Sequence, residues 1–147
     1  MTQRWLGKHS ARGQTIVEFA LIAPVFFIIL FGIIDFGMAL DHRITLQHAV
    51  REGARYGAVT SDCAAIQGRT ESQARDIITA DEVGVHYYEP NGDPTSVAAA
   101  GDVVKVSAPF EWEFPLMSRF GVGSIDIGVS GAARLELAVP SAGGCGP

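Results

Sequence analysis

Hydrophobic and polar positions divide the chain into three stretches with different periods. From Phe19 to Ile34, sixteen consecutive residues carry no charge. Extended to Ile16–Leu40, the stretch admits only Glu18 and Asp35 as charges. As a helix it rises about 37 Å, enough to cross a hydrocarbon core of about 30 Å. A core helix of a soluble domain is rarely apolar on every face for this length, so the pattern predicts a membrane-spanning helix.

Beyond Leu40 the period becomes that of an amphipathic helix. Leu46, Ala49, Val50, Gly53 and Gly57 recur at spacings of three and four, with Arg43, Gln47, Arg51, Glu52 and Arg55 on the other faces. No proline interrupts this part, so one helix is expected from about Thr15 to Val59. The narrow stripe of small residues predicts close packing against a neighbouring surface, and Glu52 three before Arg55 is a favourable pair. A second helix is expected at Glu71–Ala80, with Ala74, Ile77 and Ile78 on its buried face, after a loop containing Cys63.

The last third has period two. Val104, Val106, Ala108, Phe110, Trp112 and Phe114 alternate with Lys105, Ser107, Pro109, Glu111 and Glu113. A second run alternates from Ile125 to Val139. Both predict half-buried strands joined by Pro115–Ser124, with Pro109 at an edge or a bulge. GVHYYE and TSVAA flank PNGDP, Pro90–Pro94, and predict a hairpin in which Tyr87 and Tyr88 face opposite ways. The tail SAGGCGP is loose unless Cys145 ties it down. The fold class expected is α+β: a long N-terminal transmembrane helix continuing into a small exported domain with an antiparallel sheet.

Charge orients this plan. Arg4, Lys8 and Arg12 precede Gly13, and all 16 acidic residues follow it. The positive-inside rule keeps the N-terminus in the cytoplasm and exports the rest. A formal net charge of −5 argues against nucleic acid as a partner. The two cysteines, Cys63 and Cys145, both fall on the exported side, where a disulfide is permitted. It would close a loop of about 80 residues, worth roughly 4 kcal/mol in the chain-entropy model.

Catalytic and metal chemistry find little support. His9, His42, His48 and His86 have no ligand spacing among themselves or with the cysteines. His48 fits a helix surface, and Glu111 and Glu113 share a strand face that solvation explains. No phosphate loop, nucleophile elbow or Cys–His arrangement appears. No enzyme activity, cofactor, metal or small-molecule substrate is expected.

The N-terminal stretch RGQTIVEF carries more. A basic leader, then Gly13, then Glu18 five residues on, then an apolar helix resembles a type IV prepilin signal. A secretory signal is cut after its apolar region, whereas here the small residue precedes it. The resemblance implies that a membrane prepilin peptidase cuts between Gly13 and Gln14 and leaves the helix in the mature chain. Glu18 then becomes an assembly residue, pairing with the new amine of Gln14 on an adjacent subunit and penalising wrong registers. The simpler reading is an interfacial glutamate at the positive end of a helix.

Further residues narrow the resemblance. GQTIVEFALIAP, FGIIDFG and REGARYGA resemble the TadE-like family, minor pilins or pseudopilins of the tight-adherence pilus apparatus. The similarity runs from Arg12 to about Glu136, the closing strands included, and is thin over Ser61–Ala100. It implies a type IV pilin-like subunit with a leader at 1–13, a membrane helix at 14–40, a helical extension at 41–60 and an exported domain at 61–147. Implied partners are membrane lipid, the prepilin peptidase, companion minor pilins and the assembly machinery. The implied location is the bacterial inner membrane, single-pass, with the C-terminal domain outside the cytoplasm. The alternative is an uncleaved, anchored accessory or binding protein of the envelope. Asp35 stands where the family commonly has an acid late in the helix. Near the outer interface it either reaches water or pairs with a basic group on a partner helix. Pro24 is expected to kink the helix.

Overall fold

The structure, a computed structural model, describes residues 11–138. Helix α1 (Ala11–Gly57) is unbroken for 47 residues, through Pro24, and is about 70 Å long. It is followed by α2 (Cys63–Gln73) and then by strands β1 (Gly84–Tyr88), β2 (Val103–Ala108), β3 (Glu111–Glu113), β4 (Ser124–Asp126) and β5 (Val129–Arg134). β1, β2 and β5 form one antiparallel sheet in that order, and β3 and β4 form a separate antiparallel pair. The α+β class with a long apolar N-terminal helix is therefore observed.

The second helix lies earlier than expected. Asp62 starts it, its carboxylate accepting from Ala64 N–H at 3.0 Å and Ala65 N–H at 3.3 Å. Arg75 and Asp76 stop it, both at positive φ (52° and 61°), a conformation no right-handed helix continues through. Ala74 and Ile78 are buried as expected, but they lie in the turns after the helix. Cys63 is the first helical residue rather than a loop residue.

The expected hairpin at PNGDP forms only its turn. Glu89 N–H donates to Asp93 O at 2.8 Å and Thr95 N–H to Tyr87 O at 3.0 Å. Beyond Pro94 the chain leaves, and β1 pairs along its length with β2 instead. Tyr87 and Tyr88 do face opposite ways, Tyr87 being buried and Tyr88 half-buried.

The two long alternating runs are each split in two at the same level. Pro109 has no N–H to give the ladder, and Gly128 lies opposite it in the register that β2–β5 and β3–β4 share. One bond carries the pairing across the gap, from Ile127 N–H to Phe110 O at 2.9 Å. The alternation survives the break: Val104, Val106, Ala108, Ile127 and Leu135 are buried, while Phe110, Trp112 and Phe114 are half-buried.

Small residues on α1 set how near the sheet comes. A Cβ on Gly57 would stand 3.2 Å from both Ile66 Cδ1 and Val104 Cγ2. One on Gly53 would lie 2.0 Å from Thr70 Oγ1. From the other side, a Cβ on Gly131 of β5 would lie 2.8 Å from Val50 O and 2.9 Å from Arg51 N, so this strand rests on the helix backbone itself. Around these contacts Leu46, Ala49, Val50, Ala54, Ile66, Val83, Val85, Val104 and Val106 form one core. The expected stripe is thus the face that the domain covers.

Packing on α1 begins at Asp35, which is fully buried. No residue between Gly13 and Ile34 is buried, and the apolar ones stand open, as with Phe19 at 69% and Leu21 at 73% exposure. The helix is long and apolar enough over this part to cross a membrane.

Candidate functional site

Two acidic residues of α1 were the sequence's candidates, and their surroundings differ. Glu18 is exposed and lies one turn above Gln14, whose side-chain Nε2 donates to Glu18 Oε1 at 3.0 Å. Spacing of four along a helix brings such pairs together. Gly13 is exposed, with open space on its Cβ side. Gly13, Gln14 and Glu18 therefore share an accessible end of the helix, exposed among the described residues.

Asp35 neither reaches water nor awaits a basic partner. Its carboxyl accepts from Leu116 N–H at 3.0 Å and from Met117 N–H at 2.8 Å. Those amides open a short 3-10 turn, Met117–Phe120, at the tip of the β3–β4 hairpin. First-turn amides have no partner inside such a turn, so an acceptor from α1 caps it across 81 residues of chain. Burying an unpartnered carboxyl is costly, and these two bonds are what offset that cost.

A second clasp lies about 10 Å further along α1, two turns toward its C-terminus. The His42 ring lies 4.6 Å from that of Trp112 and 5.9 Å from that of Phe110. His42 Nδ1 and Trp112 Nε1 are buried with no hydrogen-bond partner among the described residues. The chain from β2 to the hairpin tip thus descends α1 stepwise: Val104 at Gly57, Val106 at Gly53, Trp112 at His42, Leu116 at Asp35.

The outer side of the domain is tied by polar contacts. Arg69 of α2 donates to Glu52 at 2.8 Å, and Arg55 lies 3.4 Å from the same carboxylate. The Arg69 hydrogen bond is the main reason the Glu52 carboxyl titrates below its ordinary value. Burial pushes the Tyr87 hydroxyl the other way, above its ordinary value. His48 is exposed on the helix surface, and Glu111 and Glu113 are exposed on β3, Glu111 accepting from Ser124 Oγ.

An open cleft of about 550 Å³ lies at the sheet's bend, lined by Ser107, Pro109, Asp126, Gly128 and Ser130 among others. Its carboxylate, Asp126, accepts from Gly128 N–H at 2.8 Å. Among the described residues, no three His, Cys, Asp or Glu side chains come together to hold a metal ion. The expected pairing of Cys63 with Cys145 falls on a residue outside the described ones.

Sequence reasoning missed the hairpin tip and the His42 clasp. Their one signal was the loss of alternation at PLMSRFGVG, a tract carrying a single charge, Arg119.

Residues 13–55 match the model of a family described as TadE-like protein. The match covers α1 almost from end to end, including Glu18, Asp35 and Gly53, and stops before Gly57 and the sheet. The closing strands, which also carried the resemblance in sequence, lie outside it. No curated protein and no solved structure matches the chain.

Proposed function

We propose that this chain is a minor pilin or pseudopilin of a tight-adherence pilus, held in the inner membrane by α1. A prepilin peptidase cuts it between Gly13 and Gln14, and it then serves in pilus assembly with companion minor pilins. The observation that carries this reading is the half of α1 that nothing among the described residues covers, lying within the TadE-like match. An apolar rod of about 30 Å needs lipid first and then, in a filament, the rods of other subunits.

Glu18 takes the assembly role. In the uncut chain Gln14 satisfies it from within the same helix. After cleavage Gln14 carries a free amine, and Glu18 of a neighbouring subunit is the acid placed to meet it. A charge pair of that kind favours one register, since any other leaves both charges unmatched in apolar surroundings. On the exported side, a Cys63–Cys145 bridge holds the tail to the start of α2.

Intact mass measured in cells with and without the prepilin peptidase tests the reading. A chain beginning at Gln14 only when the peptidase is present is the expected result. Full-length chain in both strains would leave an anchored envelope accessory instead. Glu18→Ala should still insert and still be cut, yet assemble poorly; normal piliation would remove its register role. Alkylation without prior reduction should leave both cysteines unmodified; labelling of either would remove the bridge.

A further inference from the structure

We propose that the tip of the β3–β4 hairpin, Leu116–Gly123, is a second membrane contact, a foot resting in the outer headgroup region beside the point where α1 emerges. This rests on the reading that the exposed half of α1 spans a bilayer. The 21 residues from Gln14 to Ile34 rise about 31 Å, which matches a hydrocarbon core of about 30 Å. Asp35 is the next residue, and it binds the backbone of Leu116 and Met117. The tip is therefore fixed at the hydrocarbon edge by its own capping bond.

Direction supports the same placement. Trp112 lies against His42 and Leu116 against Asp35, so the hairpin runs down the helix toward the exposed apolar half. Gly121, at φ 83°, turns the chain back at the bottom.

Side chains at the tip fit lipid rather than water. Phe120 is 54% exposed and Val122 39%, with Leu116 and Met117 half-buried beside them. Between Glu113 and Asp126 the sole charge is Arg119. A cation among aromatic and aliphatic residues suits the interface, where the stem stays in the apolar layer and the guanidinium meets phosphate. Phe36, also 56% exposed, adds an apolar side chain on α1 next to Asp35. Glu111 and Glu113 lie higher up the hairpin, away from anionic headgroups.

The contact would give the domain a fixed tilt on the membrane, since two points of attachment stop rotation about α1. It also implies that extraction into a filament must release the tip along with the helix.

The experiment places a photoreactive phenylalanine analogue at Phe120, Phe27 or Val97 of the full chain. The probe is vesicles of phosphatidylcholine and phosphatidylglycerol, irradiated and analysed by mass. Lipid adducts are expected at 27 and 120 and none at 97, which is exposed in the loop before β2 at the far end of the sheet. An adduct at 27 without one at 120 overturns the foot and leaves the spanning helix intact. No adduct at either overturns both. Crosslinking of position 120 to a second copy makes the tip a protein contact and also overturns the proposal. As a depth check, Phe120→Trp in a chain with Trp5→Phe and Trp112→Phe should lose more fluorescence to bromines near the headgroups than to bromines near the chain ends. Equal emission with and without brominated lipid counts against the foot.

Discussion

The two halves of α1 are continuous in backbone and opposite in surroundings. From Gly13 to Ile34 no residue is buried, although nearly all are apolar. From Asp35 to Gly57 one stripe is sealed, although the other faces are charged. The first half has large side chains that nothing among the described residues buries. The second has glycine and alanine where it is covered, because sheet and helix approach to backbone contact. Large apolar residues suit a fluid solvent such as lipid, which conforms to any shape. Small ones suit a fixed partner, where a single methyl group decides the separation.

The largest expected effect breaks the covered half. Gly131→Val should cost about 3 kcal/mol, because its Cβ would overlap the α1 backbone. Valine suits a strand, so only that contact is at fault. Thermal unfolding should show a fall in Tm of more than about 10 °C. Gly32→Ala, where a Cβ meets nothing within 4 Å among the described residues, should leave Tm unchanged. Equal effects at the two sites would erase the contrast between the halves.

Asp35 marks the boundary and comes next. Asp35→Ala leaves two amides of the hairpin tip without their acceptor, at a cost of about 2 kcal/mol. Hydrogen exchange at Leu116 and Met117 should quicken, while β1 and β2 keep their protection. Glu18→Ala should alter neither, since Glu18 touches nothing in the domain. Unchanged exchange in the Asp35 variant would return that residue to a purely membrane role.

Asp62→Ala removes the α2 cap and should lower stability by about 1 kcal/mol, read from denaturant midpoints. The smallest effect lies at Glu52. Its carboxyl titrates below the ordinary value of 4.5 in the folded chain, chiefly through Arg69. A depressed folded value means the contribution is present above 4.5 and fades as pH falls through the folded value. Exposure keeps it slight. Glu52→Gln should flatten the pH dependence of stability in that acidic range and alter little at neutral pH; an unchanged profile would show that the ion pair adds nothing.

Much of this organisation was legible from residues alone. The apolar run, the glycine stripe and the alternating strands each record a local period, and a period needs no knowledge of what lies across the gap. The family likeness was legible too, because GQTIVEFALIAP and FGIIDFG fall inside the matched segment and REGARYGA begins within it. The second helix was misplaced because its limits depend on Asp62 as a cap and on two residues at positive φ, neither of which shows in hydrophobic spacing. The hairpin at PNGDP was half right: turn residues fixed the turn, but the better partner for β1 lay further along the chain.

By itself, then, the sequence determined a helix long enough to span a membrane, the face that its outer half must cover, and the class of the domain that covers it. Only the tertiary structure decided what Asp35 does. A carboxyl in an apolar helix has several ways to be satisfied, in water, by a cation or by amides. Nothing in its neighbours along the chain selects among them. The selection came from Leu116 and Met117, 81 and 82 residues away, brought to it by the descent of β2 and β3 along α1.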